Sequence, residues 1–374
     1  MTAENVPMDS RTASAEPDQP APPDQRAAPD QPVEPAEETE VVDRWSRPYA
    51  GWLVVARKEF TDHLLSIRFI VLMIVLGLAA FVPLYFAADR IRSAAGDASG
   101  TPAVFLYLFY LSSSSDASAF AIPGVVDFVR MFAPLLGIAF AFDAVNGERS
   151  EGTLPRLLSQ PIHRDDVVNG KFAAGLATIA LAIGAILLLI AGVGLFRLGV
   201  VPAASEVLRL IAWFAVTLVY VSLWLAFGML LSVLTRRAAT SALIGFGIWF
   251  ALTFLGRLLV SFVAGVIAPV SATLLNTDPE KYLANAGTQE FLYRLLPDTL
   301  YREASLALLV PSITSLSTPA TLSQVLQSQQ QIGSLLSLDQ SFTIVWPQVV
   351  ALVALTIGCF ALAYVRFMRQ EVRA

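Results

Sequence analysis

Long apolar runs, separated by short polar segments, dominate the chain from about residue 69 onward. The run from Phe69 to Ala88 carries no charge, and at about 1.5 Å per residue a helix of this length crosses a hydrocarbon layer of ~30 Å. Similar runs predict further spans at about 123–145, 172–196, 210–235, 238–262 and 344–365. The pattern predicts an all-α fold, a polytopic membrane protein with six transmembrane helices.

The second predicted span contains charge. Its charge-free part, Met131 to Phe142, is too short to cross a bilayer alone, and extending it to residue 123 includes Asp127 and Arg130. Because these two residues are three positions apart, we expect them to pair on one helix face and so reduce the cost of burial. We place the pair near the outer interface.

An amphipathic segment, about 49–67, precedes the first span. Apolar residues recur in it at helical spacing, and charged residues fall mainly between them. We predict an N-terminal interfacial elbow helix that lies along the inner membrane surface. An ordinary cytoplasmic helix packed on protein is the alternative. The residues that we assign to the interfacial helix are Trp52, Arg57, Lys58, Glu59 and Phe60.

Basic residues flank the spans asymmetrically. With six spans, four clusters of Arg and Lys fall on one side, and fewer basic residues flank the spans on the other side. Cytoplasmic flanks carry the excess of Arg and Lys, so we predict that this side, with both termini, is cytoplasmic. The four clusters are Arg57, Lys58 and Arg68; Arg149, Arg156, Arg164 and Lys171; Arg236 and Arg237; and Arg366, Arg369 and Arg373.

The amino-acid composition indicates a membrane protein and distinguishes the N-terminal residues from the rest of the chain. The chain of 374 residues is 55% hydrophobic and only 15% charged, whereas soluble domains carry roughly 25% charged residues. Residues 1–46 are acidic and rich in proline, with few large apolar residues, so we predict a disordered tail. This tail lacks the basic and apolar regions of a signal peptide. Residues 47–374 form the predicted membrane domain.

Two long outer loops are predicted, at 89–122 and 263–343. The first contains an apolar piece at 104–111, and the second contains helix-like pieces at 289–296, 298–309 and 321–336. Asp298 follows Pro297 and is placed to cap the second of these helices. Loops of this length exceed simple connectors, so we expect them to cover the outer mouth or to bind a partner. Decoration without a function is the alternative.

Few residues in the sequence indicate catalysis, nucleotide binding or metal binding. The sequence has no GxxxxGK[ST] phosphate-binding loop, and no GxSxG context accompanies the serine-rich stretch 112–115. His63 and His163 lack a third ligand at metal-binding spacing, and Cys359 lies alone in an apolar run. We therefore expect no enzyme activity, no metal site and no cofactor in this chain.

The polar connection between the second and third spans, residues 146–171, is the most informative segment. It begins with mixed charges, and Gly152 then turns the chain. Residues 162–171 read as a short helix that ends at Gly170, before the third span. A merely solvated loop is the alternative interpretation.

At these residues the sequence resembles a known family. The pattern Asp143-x4-Glu148-Arg149-x2-Gly152-Thr153-Leu154, followed by Leu157-Leu158-Ser159-x-Pro161, Arg164 and Gly170-Lys171, is similar to the connection in ABC type-2 exporter permeases. Arg57-Lys58-Glu59 is similar to the interfacial helix of that family. Pro297-x3-Tyr301-Arg302-x2-Ser305-Leu306-x-Leu308-Leu309 is similar to an outer-loop pattern of some members. The resemblance covers about residues 50–370, and the general pattern points to the subgroup of the nitrous-oxide reductase maturation permease.

The resemblance implies a partnership. It implies a permease that pairs with a second copy, either identical or a paralogue, and that binds a cytoplasmic ABC ATPase, which holds the ATP and Mg²⁺. The loop 146–171 then couples the two proteins, and mixed charges suit orientation on a complementary groove. The residues expected to couple are Glu148, Arg149, Gly152, Thr153, Pro161, Arg164 and Lys171.

The sequence thus predicts a permease subunit of an ABC transporter in the plasma membrane. We expect outward transport of a substrate, powered by the separate ATPase, with the lipid bilayer as surroundings and no nucleic acid as partner. The few polar groups in the spans suit a lipid-like or amphipathic cargo. A non-transporting membrane scaffold that recruits cytoplasmic or envelope partners is the alternative function.

Overall fold

The computed structural model describes residues 51–94, 104–110, 124–153, 163–199, 201–269, 279–310 and 336–370. All of them belong to one compact unit, Tyr49–Ala374. The predicted tail, 1–46, and the helix-like piece 321–336, except for its last residue, lie outside the described residues. Within the described ranges every regular element is a helix, so the predicted all-α fold is confirmed.

Twelve α-helices and one π-helical turn are described. They are α1 Gly51–Leu65, α2 Ile67–Ala94, α3 Val104–Tyr110, α4 Val125–Ala141, α5 Asn146–Ser150, α6 Arg164–Leu198, α7 Ala204–Leu234, α8 Ala238–Phe250, the π-helical turn Ala251–Leu255, α9 Gly256–Ile267, α10 Pro279–Tyr293, α11 Pro297–Leu309 and α12 Leu338–Met368.

Among the described residues, five helical stretches are long and apolar enough to cross a membrane: Val125–Ser150, Arg164–Arg197, Ala204–Leu234, Ala238–Ile267 and Leu338–Met368. A sixth is added if α1 and the Ile67–Val82 part of α2, which are bent by 64° relative to each other, count as one broken span. The chain is therefore a multi-pass membrane protein with five to six candidate spans. The sequence prediction of six agrees with the upper count.

Helix α7 forms the centre of the core, where it packs against α4, α6, α8, α11 and α12. Its large aromatic residues Trp213 and Tyr220 are each only 1% exposed. Apolar side chains on α8 and α9, by contrast, are largely uncovered by the rest of the chain, as Leu243 and Leu258 illustrate. Such a surface suits contact with lipid or with another apolar helix.

Helix α11 is buried although it is not one of the candidate spans. The Tyr301 ring stacks on Tyr220 at 4.4 Å between centroids, and the Tyr301 hydroxyl lies 3.0 Å from Thr217 Oγ1. The Trp213 indole donates to Ser305 Oγ at 3.1 Å. The outer-loop motif around Tyr301 and Ser305 is thus the side of α11 that packs against α7.

The expected cap at Asp298 is wrong. The N-cap of α11 is Leu296, and no side chain caps the helix. Asp298 instead accepts two hydrogen bonds from Arg130 on α4, both at 2.6 Å. A carboxylate binds a charged guanidinium more strongly than it binds a neutral backbone amide, and Pro297 at the first position of the helix has no amide hydrogen to satisfy.

The predicted helix end at Gly170 is also wrong. Helix α6 runs without a break from Arg164 to Leu198, so residues 164–171 are its first two turns. Gly170 instead lies where α1 crosses α6 at close range. A Cβ atom there would lie 2.6 Å from Cβ of Val55 and 2.7 Å from the carbonyl oxygen of Trp52, so α1 approaches α6 at backbone distance.

Candidate functional site

The connecting segment, defined as residues 146–153, begins on a fixed base. The backbone amides of Val145 and Asn146 both donate to Ser232 Oγ, at 3.0 and 3.2 Å, near the C-terminus of α7. Asn146 Nδ2 donates to Thr235 Oγ1 at 3.1 Å, and both Asn146 and Ser232 are fully buried. The start of the segment is therefore anchored to α7.

The segment ends in a defined turn. Gly152 has a φ of +70°, a left-handed conformation that glycine adopts without steric cost. The Thr153 amide donates to the Glu148 carbonyl at 3.0 Å, and the Gly152 amide donates to the Arg149 carbonyl at 3.3 Å. These two bonds form a Schellman motif, which closes α5. Residues 150–153 are exposed at the tip.

Lys171 joins three elements. Its ammonium lies 2.7 Å from Glu148 Oε1 on α5 and 3.0 Å from Glu59 Oε1 on α1, and its side chain is 6% exposed. Glu148 Oε2 is buried and has no hydrogen-bond partner among the described residues. Burial raises the pKa of Glu59, but the positive charges of Lys171 and Lys58 outweigh this effect and lower its pKa below the usual value. We call Glu59, Glu148 and Lys171 the Lys171 cluster.

Gln370 forms a second junction beside the Lys171 cluster. Arg149 donates to Gln370 Oε1, and Arg164 donates to the Gln370 carbonyl at 3.2 Å. Gln370 Nε2 in turn donates to the Val233 carbonyl at 2.9 Å. The connecting segment, the first turn of α6 and the end of α7 are therefore linked at one residue after α12, through its side-chain amide and its backbone carbonyl.

A third contact ties α2 to the turn that precedes the connecting segment. Arg68, near the start of α2, forms an ion pair with Asp143. Its guanidinium also lies over the Phe142 ring, 5.2 Å from the ring centroid. We call this side of the helix bundle the Lys171 end, because the Lys171 cluster, the Gln370 junction and Arg68 all lie there.

The structure separates the predicted coupling residues into two groups. Glu148 and Lys171 contact each other inside the fold, and Arg149 and Arg164 meet at Gln370. Gly152 and Thr153 lie at the exposed tip, and Pro161 lies outside the described residues. Of the residues assigned to the interfacial helix, Trp52, Arg57 and Lys58 are exposed, whereas Glu59 and Phe60 are half-buried.

Sequence reasoning missed the partners of these residues. Ser232 and Thr235 gave a weak signal, because they are polar and lie at the end of a long apolar helix. Nothing in the sequence marked Gln370 as a junction. Among the described ranges, no group of three or more His, Cys, Asp or Glu residues could hold a metal ion.

Comparison with known proteins agrees with this architecture. No curated protein matches the sequence. The profile of the family described as ABC-2 family transporter protein matches residues 53–372, which includes α1, the connecting segment and α12. That family comprises membrane permease components and not the catalytic subunits. Because the match spans most of the sequence, the chain belongs to the ABC-2 family and is a membrane permease of an ABC transporter.

Proposed function

We propose that a separate cytoplasmic ABC ATPase drives this permease and that the pair exports a substrate. The Lys171 cluster carries the proposal, because it ties an exposed turn to two other helices. ATP and Mg²⁺ belong to the ATPase in this arrangement. The subgroup of the nitrous-oxide reductase maturation permease stays a prediction.

The coupling path begins at the exposed residues 150–153. A partner that moves this tip moves α5, and Lys171 passes the displacement to α1 and α6. Ser232 passes it to α7, and Gln370 passes it to the end of α12. Buried, paired charges resist separation, so the connection is stiffer than a solvated loop. Glu148 and Lys171 thus position the coupling tip, and Gly152 and Thr153 contact the partner.

The charge distribution supports a cytoplasmic location for the Lys171 end. Arg68, Arg149, Arg164 and Lys171, from three separate parts of the sequence, converge there. Basic residues prefer the cytoplasmic side of a membrane. In this proposal the protein lies in the plasma membrane and both of its termini face the cytoplasm. Helix α1 is then the interfacial elbow helix.

A second permease copy completes the proposed transporter. The uncovered apolar surface of α8 and α9 suits the lipid bilayer or a second helix pair from an identical or paralogous chain. Symmetry would then place two connecting segments on the cytoplasmic side, one for each ATPase copy. A non-transporting scaffold needs no coupling path to an ATPase. ATP turnover that requires both the permease and the ATPase therefore distinguishes a transporter from a scaffold.

Crosslinking tests the proposal directly. Cys359 is replaced by serine, and a single cysteine is introduced at Thr153 or, as a control, at Ser205 on the opposite end of α7. A thiol-linked photo-crosslinker on Thr153→Cys is expected to capture a cytoplasmic ABC ATPase, identified by mass spectrometry, whereas the same label on Ser205→Cys is not. Equal capture at both positions, or capture at neither, contradicts the assignment.

A further inference from the structure

A charged cleft of about 680 Å³ lies at the other end of the helix bundle. Arg130, on its wall, is about 20 Å from Asp143 along the direction of α4, at 1.5 Å per residue. This volume is typical of a site for a small organic ligand. The cleft is lined by residues of α4, the π-helical turn, α9, α10, α11 and the short segment between α10 and α11.

The carboxylates of the cleft are already occupied. Asp298 binds Arg130 at 2.6 Å, and Arg130 also contacts Asp127 at 3.3 Å. Glu290 pairs with Arg294 at 2.8 Å, and Glu303 accepts a hydrogen bond from Gln348 at 3.0 Å and lies 3.8 Å from Arg294. No carboxylate that lines the cleft therefore remains to attract a cation.

Two guanidinium groups are left over. Arg257 and Arg302 both line the cleft, and neither forms an ion pair or a side-chain hydrogen bond with any residue that the structure describes. Arg302 is half-buried on α11, so its charge is partly removed from solvent. An unpaired, partly buried guanidinium is costly, and an oxyanion matches its two parallel donors.

The wall of the cleft also departs from regular helix. Leu252 and Thr253 belong to the π-helical turn Ala251–Leu255, which interrupts an otherwise continuous helical stretch. Such turns occur frequently at functional sites. Phe254 in this turn and Phe250 and Leu258 on either side of it are uncovered and apolar, with Leu258 67% exposed. The cleft therefore borders a surface that suits acyl chains.

We propose that the cleft binds the anionic head, phosphate or carboxylate, of an amphiphile, whose apolar part lies along the π-helical turn and α9. Arg257 and Arg302 hold the head, whereas Arg130 and Arg294 stay bound to the carboxylates with which they already pair. The proposal concerns ligand binding by this chain alone and does not rest on the identity of the ATPase.

Native mass spectrometry of the delipidated full-length chain tests the site. The probes are phosphatidylglycerol, zwitterionic phosphatidylcholine and inorganic phosphate. Phosphatidylglycerol is expected to bind at least about tenfold more tightly than phosphatidylcholine, and the Arg257→Gln/Arg302→Gln double variant is expected to lose that preference. Competition by millimolar inorganic phosphate would identify the head group alone as the ligand, and the absence of competition would identify the amphiphile; both support the anion site.

The matched control is Arg236→Gln/Arg237→Gln. It removes the same charge from two exposed arginines between α7 and α8, at the Lys171 end. This variant is expected to keep the preference for phosphatidylglycerol. Equal binding of both lipids by the unaltered chain, or equal loss of preference in both double variants, would overturn the proposal. Thermal unfolding in detergent verifies that both variants are folded.

Discussion

The Lys171 ammonium on α6 lies 2.7 Å from Glu148 on α5 and 3.0 Å from Glu59 on α1. One nearly buried cation therefore joins three helices, of which α1 is far in the sequence from α5 and α6. Removal of either carboxylate leaves Lys171 with one remaining partner. Removal of Lys171 instead leaves two carboxylates close together without the cation that they share. The three positions are therefore not equivalent, and their variants should differ.

Glu148→Lys should uncouple ATP hydrolysis from movement of the permease. The substitution places a second ammonium beside Lys171, and like charges at this distance repel, so α5 should leave α6. In a complex with the ATPase, a fluorophore on Ser205→Cys reports movement at the opposite end without knowledge of the substrate. We expect ATP hydrolysis to continue and the ATP-dependent fluorescence change to disappear.

Asp62→Lys is the control for this experiment. It makes the same change in charge on α1, but Asp62 is 59% exposed and pairs only with Lys58 among the described residues. Surface ion pairs contribute at most about 1 kcal/mol, so the fluorescence change should persist. A normal response from Glu148→Lys would refute the role assigned to the Lys171 cluster.

Gly170→Ala should destabilise the protein although alanine favours helix. The added Cβ would lie 2.6 Å from Cβ of Val55, so α1 must move away from α6. Overpacking of this kind costs about 1–3 kcal/mol. Gly192→Ala, on the same helix, is the matched control because no described residue outside this part of the helix comes within 4 Å of its Cβ position. Thermal unfolding in detergent should show a lower Tm for Gly170→Ala and an unchanged or higher Tm for Gly192→Ala.

The sequence was informative where the signal was local. Uninterrupted apolar runs predicted the spans, and the three-residue spacing of Asp127 and Arg130 predicted an ion pair that the structure contains at 3.3 Å. Contacts between distant residues left no such pattern. Glu59 and Lys171 are 112 positions apart, and Arg130 and Asp298 are 168 positions apart, so only the packed helices bring them together.

The same distinction explains the two wrong predictions. At Gly170 the sequence indicated a helix end, because glycine commonly ends helices. The residue is equally useful where two helices touch, and the neighbour that decides, Val55, lies more than a hundred positions away. At Asp298 a nearby proline suggested a cap, but an arginine on another helix competes for the carboxylate and binds it.

Tyr301→Phe should weaken the attachment of α11 to α7. Thr217 already donates its hydroxyl hydrogen to the Trp213 carbonyl at 2.8 Å, so the Tyr301 hydroxyl donates to Thr217. Both side chains are fully buried, and the loss of a buried hydrogen bond costs about 1–3 kcal/mol. Tyr364→Phe is the control, since its hydroxyl has no partner among the described residues. Equal Tm values for the two variants would contradict the inferred bond.

Substitutions at Gly152 should reduce coupling in a defined order. The φ of +70° costs about 1–2 kcal/mol for most residues, less for asparagine, and most for β-branched side chains. No atom of a non-adjacent described residue lies within 4 Å of a Cβ there, so we attribute the effect to the backbone conformation. In the fluorescence assay with the ATPase, Gly152→Asn should respond most, Gly152→Ala less and Gly152→Val least. Because the turn is exposed and its hydrogen bonds run only to α5, it can rearrange and relieve the strain without unfolding the helix bundle, so all three variants should unfold at nearly the same temperature. A reversed order would mean that the partner recognises side chains at this position and that the shape of the turn is not what matters.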